Sequence, residues 1–315
     1  MKKINYLLIG LGLITMACNK HEIVPPPHPN AAALINFFDK NVEEKTQNFT
    51  VNANAFIYIE GEGGVTLMLN ANKLAHANGD LVNGNVDVDL IEIYKKSDMV
   101  LLDKPTMAVN NSGQHIPLIS GGEFYVSVSQ DGVELVLLEP MKLRVSNELD
   151  RGMRKFVNVS EDDLLWGIAE DSLLDEEFED TLDGEGGYSV GYDILPGEWG
   201  WTNIDKWYSD PRPKTTIFAE VPEGFDNENT EVYISYDGEG PALANFDRWV
   251  DGRFTEHYGL IPIGLEVHFI AVAIIDGSLN YVIQAATIEA DHVQDISGFE
   301  PTTEEALIDL IDALP

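Results

Sequence analysis

One short run in the second half of the chain has the residue types and spacing that carbohydrate binding uses. It contains three tryptophans at odd-numbered positions, an amide and a carboxylate at odd-numbered positions between the second and third tryptophans, and a tyrosine directly after the third. The members are Trp199, Trp201, Asn203, Asp205, Trp207 and Tyr208. Alternate residues of a strand share one face, so a strand would place the indole rings beside the polar groups. Sugar rings stack on aromatic rings while polar groups hold their hydroxyls. The alternative is that these tryptophans fill a core, each burying up to about 250 Å².

The sequence contains none of the common catalytic motifs that we considered. It has no glycine-rich phosphate loop, no His-Glu-x-x-His and no Gly-x-Ser-x-Gly. The histidines lie at no ligand-like spacing, so no nucleophilic triad is predicted. With 54 Asp and Glu residues, carboxylate pairs arise by chance, and nothing in the sequence marks one pair as a glycosidase pair. We name no catalytic residue and predict a protein that is not an enzyme, with an envelope glycosidase as the third hypothesis.

A weak calcium-loop pattern lies in the acidic middle of the chain. The run Asp180-Thr-Leu-Asp183-Gly184-Glu185-Gly186 resembles a calcium loop, but it lacks the spacing of an EF-hand and a terminal bidentate Glu. A solvated acidic loop is the preferred interpretation. No cofactor is predicted, and calcium is kept as the alternative.

The charge of the chain excludes one class of partner. The formal net charge is −35, from 54 acidic and 19 basic residues. Such a surface repels nucleic acid and anionic lipid headgroups alike. We therefore expect no nucleic-acid partner, and any attachment to a membrane must come from something other than a basic patch.

The N-terminus supplies such an attachment. Lys2 and Lys3 precede an almost wholly apolar stretch of fourteen residues, 4–17, which ends directly before Cys18. The stretch is too short to span a membrane and suits a signal segment. Together with Cys18 it resembles the lipobox of bacterial lipoproteins, although Thr15 stands where that motif usually has Leu. The resemblance implies a signal peptide over 1–17 and a lipid on Cys18 that anchors the mature chain. An ordinary cleaved signal and an uncleaved anchor are the alternatives.

After Cys18 the sequence predicts a tether and then two β domains. Prolines at 25–27 favour an extended tether over 18–45. Short runs rich in β-branched and aromatic residues, separated by Asn-Gly and Asp-Gly turns, predict a first β-sandwich over 46–146. An acidic linker is predicted over 147–186. A second sandwich follows over 187–315, with a hairpin at Asp276-Gly277 and a short C-terminal helix capped by Thr302 and Glu305. The predicted fold class is all-β, with two β-sandwich domains in tandem.

Two segments carry a family resemblance. Asn-Gly-Asp-Leu-Val-Asn-Gly-Asn-Val-Asp-Val at 78–88 and Ile-Pro-Leu-Ile-Ser-Gly-Gly-Glu-Phe-Tyr-Val at 116–126 resemble a ZU5-like sandwich module of Bacteroidota cell-surface proteins. The stretch from Trp199 to Tyr208 is similar to an element that follows this module. The resemblance implies Ig-like β-sandwiches and an outer-membrane lipoprotein, and the sequence leaves both the periplasmic and the outer face open. It also favours core packing for the tryptophans, since a shared element is often a determinant of the fold.

These observations give three functional hypotheses. The first is a lipid-anchored envelope protein that binds a glycan or a protein without catalysis. The second is a structural or assembly component of the envelope with no small-molecule ligand. The third is an envelope enzyme that acts on glycosides. Exposed aromatic faces would favour the first hypothesis over the second.

Overall fold

The computed structural model describes residues 28–315 except 55, 147–149, 151, 161–163, 171, 173, 175, 178–179, 183–186, 190 and 247. Within these residues the chain forms 26 strands and three α-helices, which confirms the all-β prediction with a short C-terminal helix.

The elements of the first half are, in chain order, α1 (Ala31–Lys45), β1 (Gln47–Asn52), β2 (Phe56–Glu60), β3 (Thr66–Asn70), β4 (Leu74–Ala75), β5 (Asn85–Ile93), α2 (Lys96–Leu101), β6 (Met107–Val109), β7 (His115–Gln130), β8 (Val133–Glu134), β9 (Val136–Leu137), β10 (Lys142–Ser146), β11 (Arg154–Asn158) and β12 (Trp166–Ile168). Those of the second half are β13 (Glu176–Glu177), β14 (Asp180–Leu182), β15 (Gly187–Ser189), β16 (Gly191–Ile194), β17 (Gly200–Trp207), β18 (Lys214–Glu220), β19 (Thr230–Tyr236), β20 (Leu243–Asn245), β21 (Arg248–Val250), β22 (Arg253–Pro262), β23 (Glu266–Ile275), β24 (Ser278–Thr287), β25 (Val293–Asp295), β26 (Glu300–Pro301) and α3 (Glu304–Asp312).

The first sandwich packs an eight-stranded sheet on a five-stranded one. The larger sheet has the order β1-β5-β7-β17-β11-β12-β6, with β8 on β7, and the smaller sheet has the order β13-β16-β10-β3-β2. Alternation along β5 turns Val86, Val88 and Leu90 into the shared core, where each is almost fully buried. This buried face agrees with the alternation that the sequence shows.

The larger sheet closes on itself at one end. Strand β6 pairs with β12 and also with β7, so β7, β17, β11, β12 and β6 form a closed circuit that we call the five-strand ring. Its apolar contents are Ala108, Leu118, Phe156 and Trp166, all fully buried. The indole N–H of Trp166 donates to the Pro105 carbonyl oxygen (3.3 Å).

Two predicted domain boundaries are therefore wrong. The segment 147–186, predicted as a linker, contributes β11 and β12 to the five-strand ring. Residues 191–207, predicted to open the second domain, instead supply β16 and β17 to the two sheets of the first sandwich. The second sandwich begins only at β18.

The second sandwich packs the sheet β21-β22-β18-β25 on the sheet β20-β19-β23-β24-β26. Its central hairpin joins β23 to β24 with Ile275 opposite Ser278. The two loop residues Asp276 and Gly277 both have positive φ (50° and 77°), as a type I′ turn requires. The predicted hairpin is confirmed.

All three helices lie where the two sandwiches meet. Side chains of α1, α2 and α3 share one apolar cluster with Ile91 and Ile93 of the first sandwich and with Ile270 and Val272 of the second. The predicted tether over 18–45 is therefore too long, because α1 already begins at Ala31 and packs into this joint. The C-terminal helix is capped one residue later than predicted: Thr303, rather than Thr302, accepts from the backbone N–H of Ala306 (3.2 Å).

A buried ion pair ties β16 to β10. The Asp193 side chain is 1% exposed, and its carboxylate accepts hydrogen bonds from Arg144 at 2.7 and 2.9 Å and from Lys142 at 2.9 Å. Burial alone would raise the pKa of Asp193, but these two cations outweigh it and hold the pKa below its ordinary value.

The Asp193→Asn variant is expected to lose about 2 kcal/mol of unfolding free energy at neutral pH, because the bidentate charge-assisted contact is lost. Because the pKa of Asp193 is lower in the folded state than in the unfolded state, its ionised form stabilises the fold. This stabilisation is complete at pH values above the unfolded-state pKa of about 3.9, and it is lost as the pH falls through the folded-state pKa. Urea unfolding should show a difference in unfolding free energy between the wild type and Asp193→Asn at neutral pH, and this difference should become smaller near pH ~3. A difference of equal size at both pH values would contradict this assignment.

Candidate functional site

A groove of about 580 Å³ lies between the two sandwiches. The first sandwich contributes the loop after α2, the start of β7, the end of β11 and Trp201, and the second contributes the loop before β19 and the segment around β20 and β21. Its lining residues are Asp103, Lys104, Pro105, Met107, His115, Asn158, Ser160, Leu164, Leu165, Trp201, Asn227, Glu231, Asn245, Phe246, Arg248, Trp249 and Phe254. We call this feature the interdomain groove.

Trp201 forms part of the wall from the first sandwich. Its ring is half-buried and packs against Tyr125 with centroids 5.4 Å apart. The Nζ of Lys104 lies 6.0 Å from the centroid of the indole ring. This distance is at the outer limit of a cation–π contact. Tyr125 and Lys104 therefore contact two sides of the indole ring, and the rest of the ring surface stays accessible from the groove.

Trp249 forms part of the wall from the second sandwich. It lies on the edge strand β21 and is half-buried, in a T-shaped contact with Phe254 (4.8 Å, 76°). The indole N–H groups of Trp201 and Trp249 bond to no residue that the structure describes. By contrast, the N–H of Trp199 donates to the Leu135 carbonyl oxygen (2.6 Å). The two groove tryptophans therefore keep a donor for a ligand.

The polar lining is close to neutral. Asp103 and Glu231 carry negative charge, and Lys104 and Arg248 carry positive charge. Burial, followed by the charge of Asp103, raises the pKa of Tyr233 well above its usual value, so its hydroxyl stays protonated and donates to Asp103 Oδ1 (2.7 Å). Although the whole chain has a net charge of −35, the charges that line the groove balance. A neutral polar ligand would therefore experience no strong electrostatic field there.

Four of the six residues singled out in the sequence lie on one face of β17: Trp201, Asn203, Asp205 and Trp207. β17 pairs with β11 without a register shift over 202–205, and the bulge lies in the partner strand β7, where Gly121 and Gly122 face Ile204 alone. This face turns into the five-strand ring, so Asn203 and Asp205 are fully buried. Trp199 packs on the core of the first sandwich, and Trp207 packs edge-on against Phe156 in the five-strand ring (5.1 Å, 76°). The predicted shared face therefore holds for Trp201, Asn203, Asp205 and Trp207 and fails for Trp199, and burial prevents it from forming an exposed platform.

Tyr208 does not line the groove. It is 8% exposed, packs against Tyr236 in a tilted contact (4.9 Å, 50°) and donates to Asp210 Oδ2 (3.2 Å). Burial, followed by the charge of Asp210, raises its pKa to about 12. Among the six predicted residues, only Trp201 lines the interdomain groove.

A pair of acids is buried inside the five-strand ring. Glu123 and Asp205 are both 0% exposed. Burial, and for Glu123 also the charge of Asp205, raises the pKa of both carboxyl groups well above the ordinary values. Neither group lines the interdomain groove, so they are not placed to act on a ligand bound there.

Two predicted sites lie outside the described residues. These are Cys18 and the calcium candidates Asp183 and Glu185; the side chain of Asp180 lies outside as well. In the part of the chain that is described, no group of three or more His, Cys, Asp or Glu side chains could hold a metal ion. Within the same residues, no helix is long and apolar enough to cross a membrane.

Sequence reasoning missed most of the groove. Trp249, Lys104 and Arg248 come from segments that carry no motif, and they reach Trp201 only through the packing of one sandwich on the other. A lone tryptophan between Arg248 and Val250 gave no signal in the sequence.

Comparison with known proteins adds little. No family model matches the chain, and no curated protein is similar to it. Among solved structures, a crystal structure of gamma-CGTase from alkalophilic Bacillus clarkii is similar at 12% identity, with a TM-score of 0.21. The match covers 80% of this chain and 41% of that chain, so this chain spans less than half of that protein's length. A likeness at this TM-score carries no argument about fold or function.

Proposed function

We propose that this protein is a lipid-anchored component of the bacterial cell envelope that binds a glycan, without catalysis, in the interdomain groove. The observation that supports the proposal is the pair of half-buried tryptophans, Trp201 and Trp249, which line one polar groove from two different sandwiches. Both keep their indole N–H free of any described partner.

The physical properties of the groove suit a sugar better than an apolar ligand. Indole rings offer flat surfaces for the C–H faces of a sugar ring, while amides and charged groups can hold its hydroxyls. Asn245 and Asn227 supply amides at the lining. A volume of about 580 Å³ lies within the range of roughly 300–1,000 Å³ that is usual for ligand sites.

The lipid anchor that we propose is inferred from the N-terminal sequence. Ten residues, 19–28, separate Cys18 from Pro29, which already pairs with Ile275 of β23. At about 3.1 Å per residue, an extended polyproline tether of this length would span about 31 Å. That length would hold the sandwiches clear of the headgroups and leave the interdomain groove open to polymers outside the membrane.

The Trp201→Ala and Trp249→Ala variants are each expected to bind the glycan about tenfold more weakly, because each removes one stacking surface of about 1–1.5 kcal/mol. The measurement is a titration of the full-length chain, in detergent, with a panel of polysaccharides, followed by tryptophan emission and calorimetry. Trp207→Ala is the matched control, since Trp207 lies on the same strand as Trp201 and outside the groove. Thermal melts would check that each variant is folded.

Two results would count against the proposal. If no polysaccharide shifts the emission of the wild type, the role as a structural or assembly component of the envelope becomes the better hypothesis. If the polysaccharide is shortened during incubation, the protein is an enzyme, and the third hypothesis applies instead.

A further inference from the structure

We propose that Glu123 and Asp205, together with oxygens of Asn203 and Ser120, bind a divalent cation of the calcium type inside the five-strand ring. The site is separate from the interdomain groove and from the acidic loop that the sequence pointed to. It also differs from the proposed glycan site in chemistry, so the two proposals can fail independently.

The first argument is the state of Glu123. Its side chain is 0% exposed, and both carboxylate oxygens lack a hydrogen-bond partner among the residues that the structure describes. A buried carboxylate without partners is costly, and proteins compensate such a charge or neutralise it.

Other buried carboxylates in this chain show what compensation looks like. Glu92 is 2% exposed and accepts hydrogen bonds from the backbone N–H groups of Gly63 and Val65 at 2.8 and 2.9 Å, and from the Gln47 amide at 2.8 Å. Asp193 is held by two cations. Glu123 has neither kind of support, which indicates that a group absent from the protein itself completes the site.

The second argument is the convergence of oxygens. Glu123 lies opposite Asn203, and Ser120 lies opposite Asp205, on the paired strands β7 and β17. The bulge between these two pairs brings the four side chains to the same side of the sheet, inside the ring. Asn203 already touches both neighbours: its Nδ2 lies 2.6 Å from Asp205 Oδ2, and its Oδ1 lies 3.3 Å from the Ser120 hydroxyl.

This donor set suits a hard cation. Calcium takes oxygen ligands from carboxylates, amides and hydroxyls, and a carboxylate with two free oxygens can bind it through both. Rotation of the Asn203 amide by a half-turn would present its oxygen in place of its nitrogen. Two carboxylates and two neutral oxygens would give a divalent ion a neutral site.

Among the described residues, no basic side chain forms an ion pair with Glu123 or Asp205, although Arg154 lies opposite Asp205 on β11. Lys104 is the cation whose charge acts on Glu123, but its ammonium group donates to the Asp103 carbonyl oxygen (3.1 Å) and lies over the Trp201 ring. It contributes only at a distance. A bound cation would therefore link β7 to β17 directly behind Trp201.

The test compares thermal unfolding of the full-length chain in detergent after refolding in EDTA and in millimolar Ca²⁺. We expect Ca²⁺ to raise the Tm of the wild type by about 3 °C or more, since a ligand that binds only the folded state stabilises it. The shift should vanish in Glu123→Gln and in Asp205→Asn. It should persist in Glu60→Gln, which removes an exposed carboxylate of the same sandwich, and in the combined variant Asp180→Asn, Asp183→Asn, Glu185→Gln.

A second measurement does not depend on the stability of the variants. Tb³⁺ replaces Ca²⁺ in oxygen sites, and a nearby indole sensitises its luminescence. We expect tryptophan-excited Tb³⁺ emission from the wild type, competed away by Ca²⁺ and lost in Glu123→Gln while Glu60→Gln keeps it.

Two outcomes would overturn the proposal. One is a wild type whose Tm and Tb³⁺ emission do not respond to the ion. In that case, a higher Tm of Glu123→Gln at neutral pH would show that the acid pair is neutralised by protons instead. The other is an ion response that Glu123→Gln retains and the variant of the acidic loop loses, which would move the calcium site to residues 180–185.

Discussion

The Cys18→Ser variant is expected to move nearly all of the protein from the membrane fraction to the soluble fraction. The thiol of Cys18 is the group that a lipoprotein pathway would alkylate, and a serine hydroxyl does not replace it. Each buried CH₂ of an acyl chain contributes about 0.8 kcal/mol, so two or three chains dominate the attachment. The net charge of −35 repels anionic headgroups, so electrostatic attraction would not replace the lipid.

Fractionation and metabolic labelling with a palmitate analogue would measure this effect. The control is Thr15→Leu, which restores the usual lipobox residue and should leave labelling equal or higher. A Cys18→Ser protein that stays in the membrane without label in either form would indicate an uncleaved anchor. A wild type that is unlabelled and soluble would indicate an ordinary cleaved signal.

The fold class was readable from the sequence because it depends on local patterns. Alternation along β5 and the Asp276-Gly277 turn each involve residues within one or two elements, and both are present in the structure. The domain boundaries were not readable, because they depend on which distant strands pair. β17 pairs with β7 and β11, and neither partner is identified by anything in its own sequence.

The candidate site shows the same division. Trp201 was identified from the residue type and its spacing, and Asn203 and Asp205 do lie on the same face of β17. They are buried rather than exposed because this face points into the five-strand ring, whose closure depends on distant strands. Trp249 joins Trp201 only through the packing of the two sandwiches. The unpartnered Glu123 gave no signal, since its burial results from the closure of the five-strand ring.

Trp166→Ala is expected to destabilise the whole protein, although the residue lies in the acidic segment that composition marks as a linker. Trp166 is 0% exposed, packs with Phe156 and Leu118 inside the five-strand ring, and donates to the Pro105 carbonyl oxygen. Removal of such a side chain leaves a cavity and an unpaired carbonyl. We expect a loss of about 3–5 kcal/mol of unfolding free energy, or a fall in Tm of about 10 °C.

Guanidinium and thermal unfolding, followed by circular dichroism, would measure this loss. The matched control is Ile168→Ala on the same strand, where 38% of the residue is exposed and the loss should be below about 1 kcal/mol.

Pro105, Leu164 and Leu165 line the interdomain groove. A folded remnant of Trp166→Ala should therefore also bind the glycan more weakly, since the wall beside Trp201 would lose its support. A Tm equal to that of the wild type would mean that 147–186 is a linker after all and that the ring does not close in solution.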